Sequence, residues 1–512
     1  MPGQPYNAAA DLIDRNLRHP ERIAVVDESG QHTYAALAER VNRAGHALRA
    51  LGVQEEQRVL LCMLDTIDFP AAFWGAIKMG AVPVPVNTLL TTAEYDFLLR
   101  DSRARVLIVS AALLEKLTPI LRNQPFLREV VVSGGAPPAG THAFTDLVAR
   151  ASAQLAPAQT TADDVAFWLY SSGSTGTPKG AMHLQGDLVK TAELYARDVL
   201  GIREDDVVFS AAKLFFAYGL GNAMTFPFSV GATAVLLSER PTPGGVMRVL
   251  REHQSTIFYA VPTLFAAILA DPQNGRASGS QRLRFCVSAG EALPKEIGER
   301  WRERFGVDIL DGIGSTEMLH IFLSLHPGDV RYGTTGKPVP GYQLSIVDEQ
   351  DQPVPRGTIG ELKVKGPTSA IGYWNNRAKS LTTFHGPWTL TGDKYLQDAD
   401  GYYVYCGRSD DMLKVGGQWV SPAEVESALI GHPAVLEVAV VAAQDEHGLV
   451  KPKAFVVPKP GMTASLALVE ELQRFVKDRL APYKYPRWIE FTDALPKTAT
   501  GKIQRFKLRS AS

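Results

Sequence analysis

Ser171, Ser172, Gly173, Ser174, Thr175, Gly176, Thr177 and Lys179 sit close together, directly after the apolar run 165–169. Glycine lets a backbone turn its N–H groups onto an anion, and hydroxyls and a lysine add donors and positive charge. That chemistry suits a polyphosphate. The widespread nucleotide loop G-x-x-x-x-G-K-[ST] is not the pattern here. Counting from Gly173, its second glycine position falls on Pro178, and Gly180 follows Lys179. A flexible Ser/Gly linker would have similar composition. Pro178-Lys179-Gly180 and the strand-like run ahead of it are unlike a linker.

Three further stretches carry chemistry-bearing residues. Asp311, Gly312, Ile313, Gly314, Ser315, Thr316 and Glu317 follow a strand-like segment, 307–310, and read as a loop. Small residues there admit a flat ring or a phosphate, Thr316 adds a hydroxyl, and Glu317 offers a hard oxygen ligand for Mg²⁺. Ser288, Ala289, Gly290 and Glu291 also follow a buried strand, and an ordinary strand-end turn fits them equally well. Asp393 lies in Leu390-Thr391-Gly392-Asp393, where a carboxylate at a tight turn can accept both hydroxyls of a ribose. Arg408, Asp410 and Asp411 follow, and Lys502 sits in the polar run 496–503.

In order and spacing these stretches resemble the signatures of the adenylate-forming superfamily: acyl- and aryl-CoA ligases, luciferases and peptide-synthetase adenylation domains. The resemblance runs from Tyr170 to Lys502. It implies that residues 171–179 bind the β- and γ-phosphates of ATP. Thr316 would bind the α-phosphate and Glu317 the magnesium ion, while residues 288–291 and 311–315 lie along the adenine. Asp393 and Arg408 would hold the rest of the nucleotide. Where the family often stacks an aromatic on adenine, this chain has Ile313, so packing there is aliphatic. By the same resemblance Asp410 is a hinge, Gly416 and Gly417 line a tunnel for the pantetheine arm of coenzyme A, and Lys502 is catalytic in the first of two steps. ATP, Mg²⁺ and coenzyme A are the implied cofactors and co-substrates.

The elements that must position these residues form two textures. Up to about residue 330, buried strand patterns (23–26, 59–63, 106–109, 232–237, 256–259) alternate with helical spacing, as in Leu37, Val41, Ala44, Leu48 and Leu51 after the N-cap Thr33. That alternation predicts parallel α/β layers. From about Thr335, glycine and proline are frequent and helical periodicity is absent, which predicts a β-rich, barrel-like layer. A small domain follows, with strands at 435–441 and 454–457 and a helix marked by Leu468, Leu472, Phe475, Val476 and Leu480. The expected fold is α/β. Residues 1–409 form a large domain of two α/β subdomains plus the β-rich layer, and residues 410–512 form a small, mobile α+β domain.

The chain has 512 residues, 45% of them apolar, and a formal net charge of −1, so more than one domain is expected and nucleic acid is not an expected partner. No apolar run reaches the length of a membrane span and no signal peptide is apparent. Three widely spaced cysteines fit a reducing cytoplasm. A monomer and a homodimer fit equally.

The acid-binding slot is expected from Phe216, Ala217, Tyr218 and Gly219 together with Gly314 and His320. Small residues interleaved with aromatics suit a short, flat slot. Core packing alone would also account for Phe216 and Tyr218. These segments resemble bacterial benzoate–CoA ligases in particular, which implies that benzoate is joined to coenzyme A through an acyl-adenylate. A ligase for a substituted benzoate or a short aliphatic acid, and an adenylation enzyme that loads a carrier protein, remain as alternatives.

Overall fold

The computed structural model describes residues 3–172, 177–415, 418–446, 448–497 and 503–509. The first α/β layer is a five-stranded parallel sheet in the order Val82–Pro85, Arg58–Cys62, Val106–Ser110, Glu129–Ser133, His142–Ala143. The second is a nine-stranded sheet whose six central strands are parallel and whose ends close with antiparallel pairs. Its central order includes Val207–Ser210, Ile257–Ala260, Phe285–Ser288 and Ile309–Gly314. Apolar runs with buried neighbours on both faces give parallel strands their continuous hydrophobic character.

Helical spacing in the sequence is met where it was expected. Thr33 accepts a hydrogen bond from the Ala36 N–H and caps the helix Tyr34–Ala50, which buries Leu37, Val41, Ala44 and Leu48. Each such Leu or Val contributes about 1.5–3 kcal/mol by leaving water. The β-rich layer is an antiparallel sheet of Gln343–Val347, Gly360–Lys365, Trp388–Gln397 and Tyr403–Arg408, with Phe384–His385 on its edge. It also holds a short helix, Arg377–Thr383, that the sequence does not announce. Asn376 caps it, and it buries only Thr383, so no apolar period marks it.

Past the β-rich layer, the chain builds its own core. Val425, Leu429, Val438, Val440, Leu472 and Val476 pack together, with strands Val435–Gln444, Val450–Pro458 and Trp488–Phe491 beneath helices Pro422–Ile430 and Leu466–Lys477. Ser421 and Ser465 cap the two helices by accepting the Glu424 and Leu468 N–H groups.

Candidate active site

The phosphate-loop stretch is the tip of a hairpin. Val165–Ser172 pairs antiparallel with Pro178–Leu184, and Ser171 stands opposite Lys179. The chain therefore returns from the loop as a strand, where the common nucleotide loop enters a helix. Gly173, Ser174, Thr175 and Gly176 lie outside the described residues, so only the two anchored ends are seen. The Ser171 hydroxyl is buried with no hydrogen-bond partner among the described residues.

Lys179 points at an aromatic ring and an acid. Its ammonium stands 4.9 Å from the centroid of Tyr373. Burial lowers its pKa, and the Glu317 carboxylate acts in the opposite direction. The Tyr373 hydroxyl donates to Glu317 Oε1 at 2.7 Å. Burial first, then the Glu317 charge, push that hydroxyl far above its usual range, so it remains a donor. The backbone around Tyr373 is strapped to the hairpin. Ile371 N–H donates to Met182 O at 3.0 Å, Met182 N–H to Gly372 O at 3.0 Å, and Trp374 N–H to Gly180 O at 2.8 Å.

The turn that carries Thr316 and Glu317 is held from outside. Asp311 to Gly314, expected as loop, continue the strand Ile309–Gly314, because Ile321–Ser324 folds back and pairs with them. The tight turn Thr316–Met318 follows, capped by the Ser315 hydroxyl, which accepts the Met318 N–H. Three successive carbonyls then take hydrogen bonds from two segments. His183 Nε2 donates to Thr316 O at 2.7 Å, Ala370 N–H to Glu317 O at 2.8 Å, and Thr368 Oγ1 to Met318 O at 2.8 Å. A Cβ at Gly314 would stand 2.5 Å from the His320 carbonyl oxygen, so the chain can fold back only over a glycine.

Ser288 and Asp311 are register partners at the carboxyl ends of neighbouring parallel strands, the edge at which open α/β sheets bind ligands. Ala289 is buried beside them, Gly290 turns the chain with φ of 92°, and Glu291 follows on the surface side. Burial raises the Asp311 carboxyl to about 8, and its Oδ1 has no hydrogen-bond partner among the described residues. Ile313 packs on the neighbouring aromatic core. Across the site, Asp393 and Arg408 are register partners on adjacent strands. The Arg408 guanidinium donates to Asp393 Oδ1 at 3.1 Å and to Thr391 O at 3.0 Å. The Arg408 charge also depresses Lys179, which places the two signatures around one space.

The expected acid slot assembles as well. Phe216 leads into the short helix Ala217–Leu220, which carries Tyr218 and the buried Gly219. The Tyr218 hydroxyl donates to Val287 O at 3.0 Å and pins this helix to the strand ends. His320 closes against it. Its Nε2 lies 3.2 Å from Asn222 Oδ1 and 3.3 Å from Tyr218 O, so this nitrogen carries a proton. Its ring lies 4.5 Å from Phe226, 5.6 Å from Tyr218 and 5.7 Å from Tyr195. Burial pulls its pKa down to about 3, so it is neutral.

Lys502, Gly416 and Gly417 lie outside the described residues. Lys497 and Ile503, described residues on either side of Lys502 in the sequence, form an isolated antiparallel bridge. The Asp410 carbonyl accepts from Arg509 Nη1 at 3.0 Å. Sequence reasoning missed Tyr373, His183 and Asp187. Their only sequence trace is an aromatic pair, Tyr373-Trp374, in a polar stretch and a lone histidine in an apolar strand. Asp65 and Lys213 were missed too. The Asp65 carboxylate accepts from Leu214 N–H at 3.3 Å, and Lys213 Nζ caps the carbonyls of Leu237 and Glu239, which fixes the root of the slot.

The donor set suits a magnesium ion at Glu317. Tyr373 occupies Oε1, and among the described residues no hydrogen bond falls on Oε2, which leaves one carboxylate oxygen for a hard cation.

These signatures on two α/β layers, a β-rich layer and a small carboxyl-terminal unit define an adenylate-forming enzyme. The chain belongs to the AMP-binding enzyme family, whose profile matches residues 13–374, with its carboxyl-terminal domain matching residues 424–502. It is 61% identical over 510 residues to a benzoate–CoA ligase of Thauera aromatica, covering 99% of this chain and 96% of that protein. It is 52% identical to a 4-hydroxybenzoate–CoA/benzoate–CoA ligase of Rhodopseudomonas palustris, covering 99% of this chain and 95% of that one. A crystal structure of a benzoate CoA ligase from Burkholderia xenovorans superposes with a TM-score of 0.92 at 54% identity, covering 98% of this chain and all of that one (100%). Among the described residues no helix is long and apolar enough to cross a membrane.

Proposed function

We propose that this chain is an ATP-dependent, AMP-forming benzoate–CoA ligase. One observation carries the reading: the turn bearing Thr316 and Glu317 runs directly into His320, which packs among the aromatic rings of Tyr195, Tyr218 and Phe226. The turn proposed to face the α-phosphate thus adjoins the aromatic residues proposed to hold the acid, which supports an aromatic carboxylate as the substrate. The names of the most similar relatives agree with that reading.

In the first half-reaction a benzoate oxygen attacks the α-phosphorus of ATP and the bond to pyrophosphate breaks. Lys179 and the hydroxyls of residues 171–177 hold the β- and γ-phosphates, Thr316 the α-phosphate, and Asp393 with Arg408 the ribose side. Residues 288–291 and 311–315 flank the adenine. Glu317 holds the magnesium ion, which neutralises triphosphate charge when bound. Residues 410–512 form a unit that turns about Asp410, bringing Lys502 to the site for the first step and the Gly416–Gly417 face for the second. In the second half-reaction the thiolate of coenzyme A attacks the acyl carbon and AMP departs. AMP is a good leaving group, so the step asks for no nucleophile–base pair.

A second reading widens the acid to hydroxybenzoates. His320 Nδ1 is buried with no hydrogen-bond partner among the described residues, and a substrate hydroxyl could donate to it.

Release of AMP and pyrophosphate from ATP, measured with a panel of acids with and without coenzyme A, tests both readings. Benzoate-dependent release that needs coenzyme A for turnover is expected. Release with acetate or octanoate but not benzoate would discard the slot.

A further inference from the structure

His183 takes no part in the chemistry described above, yet its side chain joins the phosphate-loop hairpin to the turn that carries Thr316 and Glu317. It lies on the strand Pro178–Leu184, four residues beyond Lys179 on the same face. Its side chain is fully buried, stacked on Phe167 at 5.3 Å with 19° between the rings. A carbonyl oxygen only accepts, so the 2.7 Å contact to Thr316 O requires the proton on Nε2. Nδ1 faces Asp187 Oδ2 at 3.1 Å, and the same oxygen accepts the Leu184 N–H at 3.0 Å. Asp187 is thereby fixed at the start of the helix Gln185–Thr191, and it fixes the ring. The chain of contacts is carboxylate, imidazole, carbonyl, and it ends on the peptide between Thr316 and Glu317.

We propose that His183, oriented by Asp187, is a positioning residue for the first half-reaction: it sets the Thr316–Glu317 turn through the Thr316 carbonyl, in register with Lys179. The inference rests on the nucleotide roles given above to Thr316 and Glu317. His183 touches no substrate, since it is wholly buried. Its leverage is geometric. The Glu317 and Met318 carbonyls are held by residues 368–370, which belong to the strap, whereas Thr316 O is held by His183 from the hairpin. Without that donor the Thr316 carbonyl keeps only the Leu319 N–H of its own turn, at 3.3 Å, and loses its direct bond to the strand that carries Lys179.

The test compares His183→Phe, which keeps the stacking but has no donor, with His183→Gln, whose amide can reach the Thr316 carbonyl. Thermal midpoints show that both fold. Benzoate-dependent ATP–pyrophosphate exchange in His183→Phe is expected to fall about 10²-fold in kcat, the cost of misplacing a reacting group by about 1 Å. The benzoate KM is expected to stay within about threefold, because the hydrogen bonds of His183 reach Thr316 and Asp187 and not the residues of the slot. His183→Gln is expected to recover about tenfold or more of the loss. Hydrogen exchange of the peptide 314–320 in nucleotide-free enzyme is expected to speed up in His183→Phe and to return towards the wild-type rate in His183→Gln.

Unchanged exchange of that peptide in His183→Phe overturns the proposal, as does equal impairment of the two variants, which would mark a packing role. Wild-type enzyme that shows no exchange activity with any acid would sink the functional reading instead. The hydrogen-exchange comparison would still decide the His183 contact.

Discussion

The Tyr373 hydroxyl donates to Glu317 Oε1 at 2.7 Å across 56 residues of chain, and the same ring stands over the Lys179 ammonium at 4.9 Å. One aromatic side chain thus spaces the cation that faces the terminal phosphates from the acid proposed to hold magnesium. It blocks direct pairing of Lys179 with Glu317, which would take both groups out of use.

Tyr373→Phe keeps the ring over Lys179 and removes the bond to Glu317. The Mg²⁺ concentration that half-saturates benzoate-dependent pyrophosphate exchange is expected to rise about ten- to a hundredfold, the range of one hydrogen bond to a charged group. A Mg²⁺ titration unchanged from wild type would separate Tyr373 from the metal.

Lys502→Ala is expected to lose adenylation by about 10²-fold or more, the usual cost of removing one donor aimed at developing charge. Conversion of supplied benzoyl-AMP to benzoyl-CoA is expected to survive within about threefold. Rapid-quench assays of each half-reaction check this. Equal losses in both would contradict the turning of residues 410–512 between two working positions.

Gly221→Ala places a methyl group into the His320 ring. His320 must shift towards the slot, because Asn222 and the aromatic rings of Tyr195 and Phe226 close its other sides. The benzoate KM is expected to rise about tenfold while the ATP KM changes little, since the added methyl meets His320 and Phe226 and no residue given a phosphate role. Steady-state kinetics with each substrate varied separately would reveal the split, and a rise in the ATP KM alone would place His320 elsewhere.

Asp311 gives the fold a pH dependence. In the folded chain its carboxyl stays protonated up to about 8, whereas in the unfolded chain it ionises near the ordinary aspartate value of 3.8. Between those values the folded state holds a proton that the unfolded state has lost. Stability from this group therefore falls as pH rises from about 4 to about 8, by at most about 1.4 kcal/mol per pH unit, and is level above that. Thermal midpoints of nucleotide-free wild type and Asp311→Asn at pH 5, 6.5 and 8 are expected to diverge, with the variant gaining relative to wild type as pH rises. A constant difference would show Asp311 ionised throughout.

Much of the fold could be read locally. The run 165–169 is a strand because apolar β-rich residues leave little other choice, and Thr33, Ser421 and Ser465 mark helix starts by a side-chain oxygen that can accept a backbone N–H. Two of the differences have one cause, which is partners distant in sequence. Asp311 to Gly314 read as loop because their glycines weaken a strand signal, yet Ile321–Ser324 pairs with them and makes them strand. The return strand Pro178–Leu184 begins with a proline and a glycine, and becomes a strand by lying against residues 165–172 on one side and the Tyr373 strap on the other.

By its own order and residue types, the sequence determined which groups can bind a nucleotide: the hydroxyls, glycines and lysine of 171–179, the Thr316-Glu317 pair, and Asp393 with Arg408. Tertiary structure alone decided how those groups are set against one another. Tyr373 comes to stand between Lys179 and Glu317, His183 to hold the Thr316 carbonyl, and His320 to lie neutral among aromatic rings. Burial and hydrogen bonding between segments far apart in the chain set these relationships, and neither is a property of any local stretch.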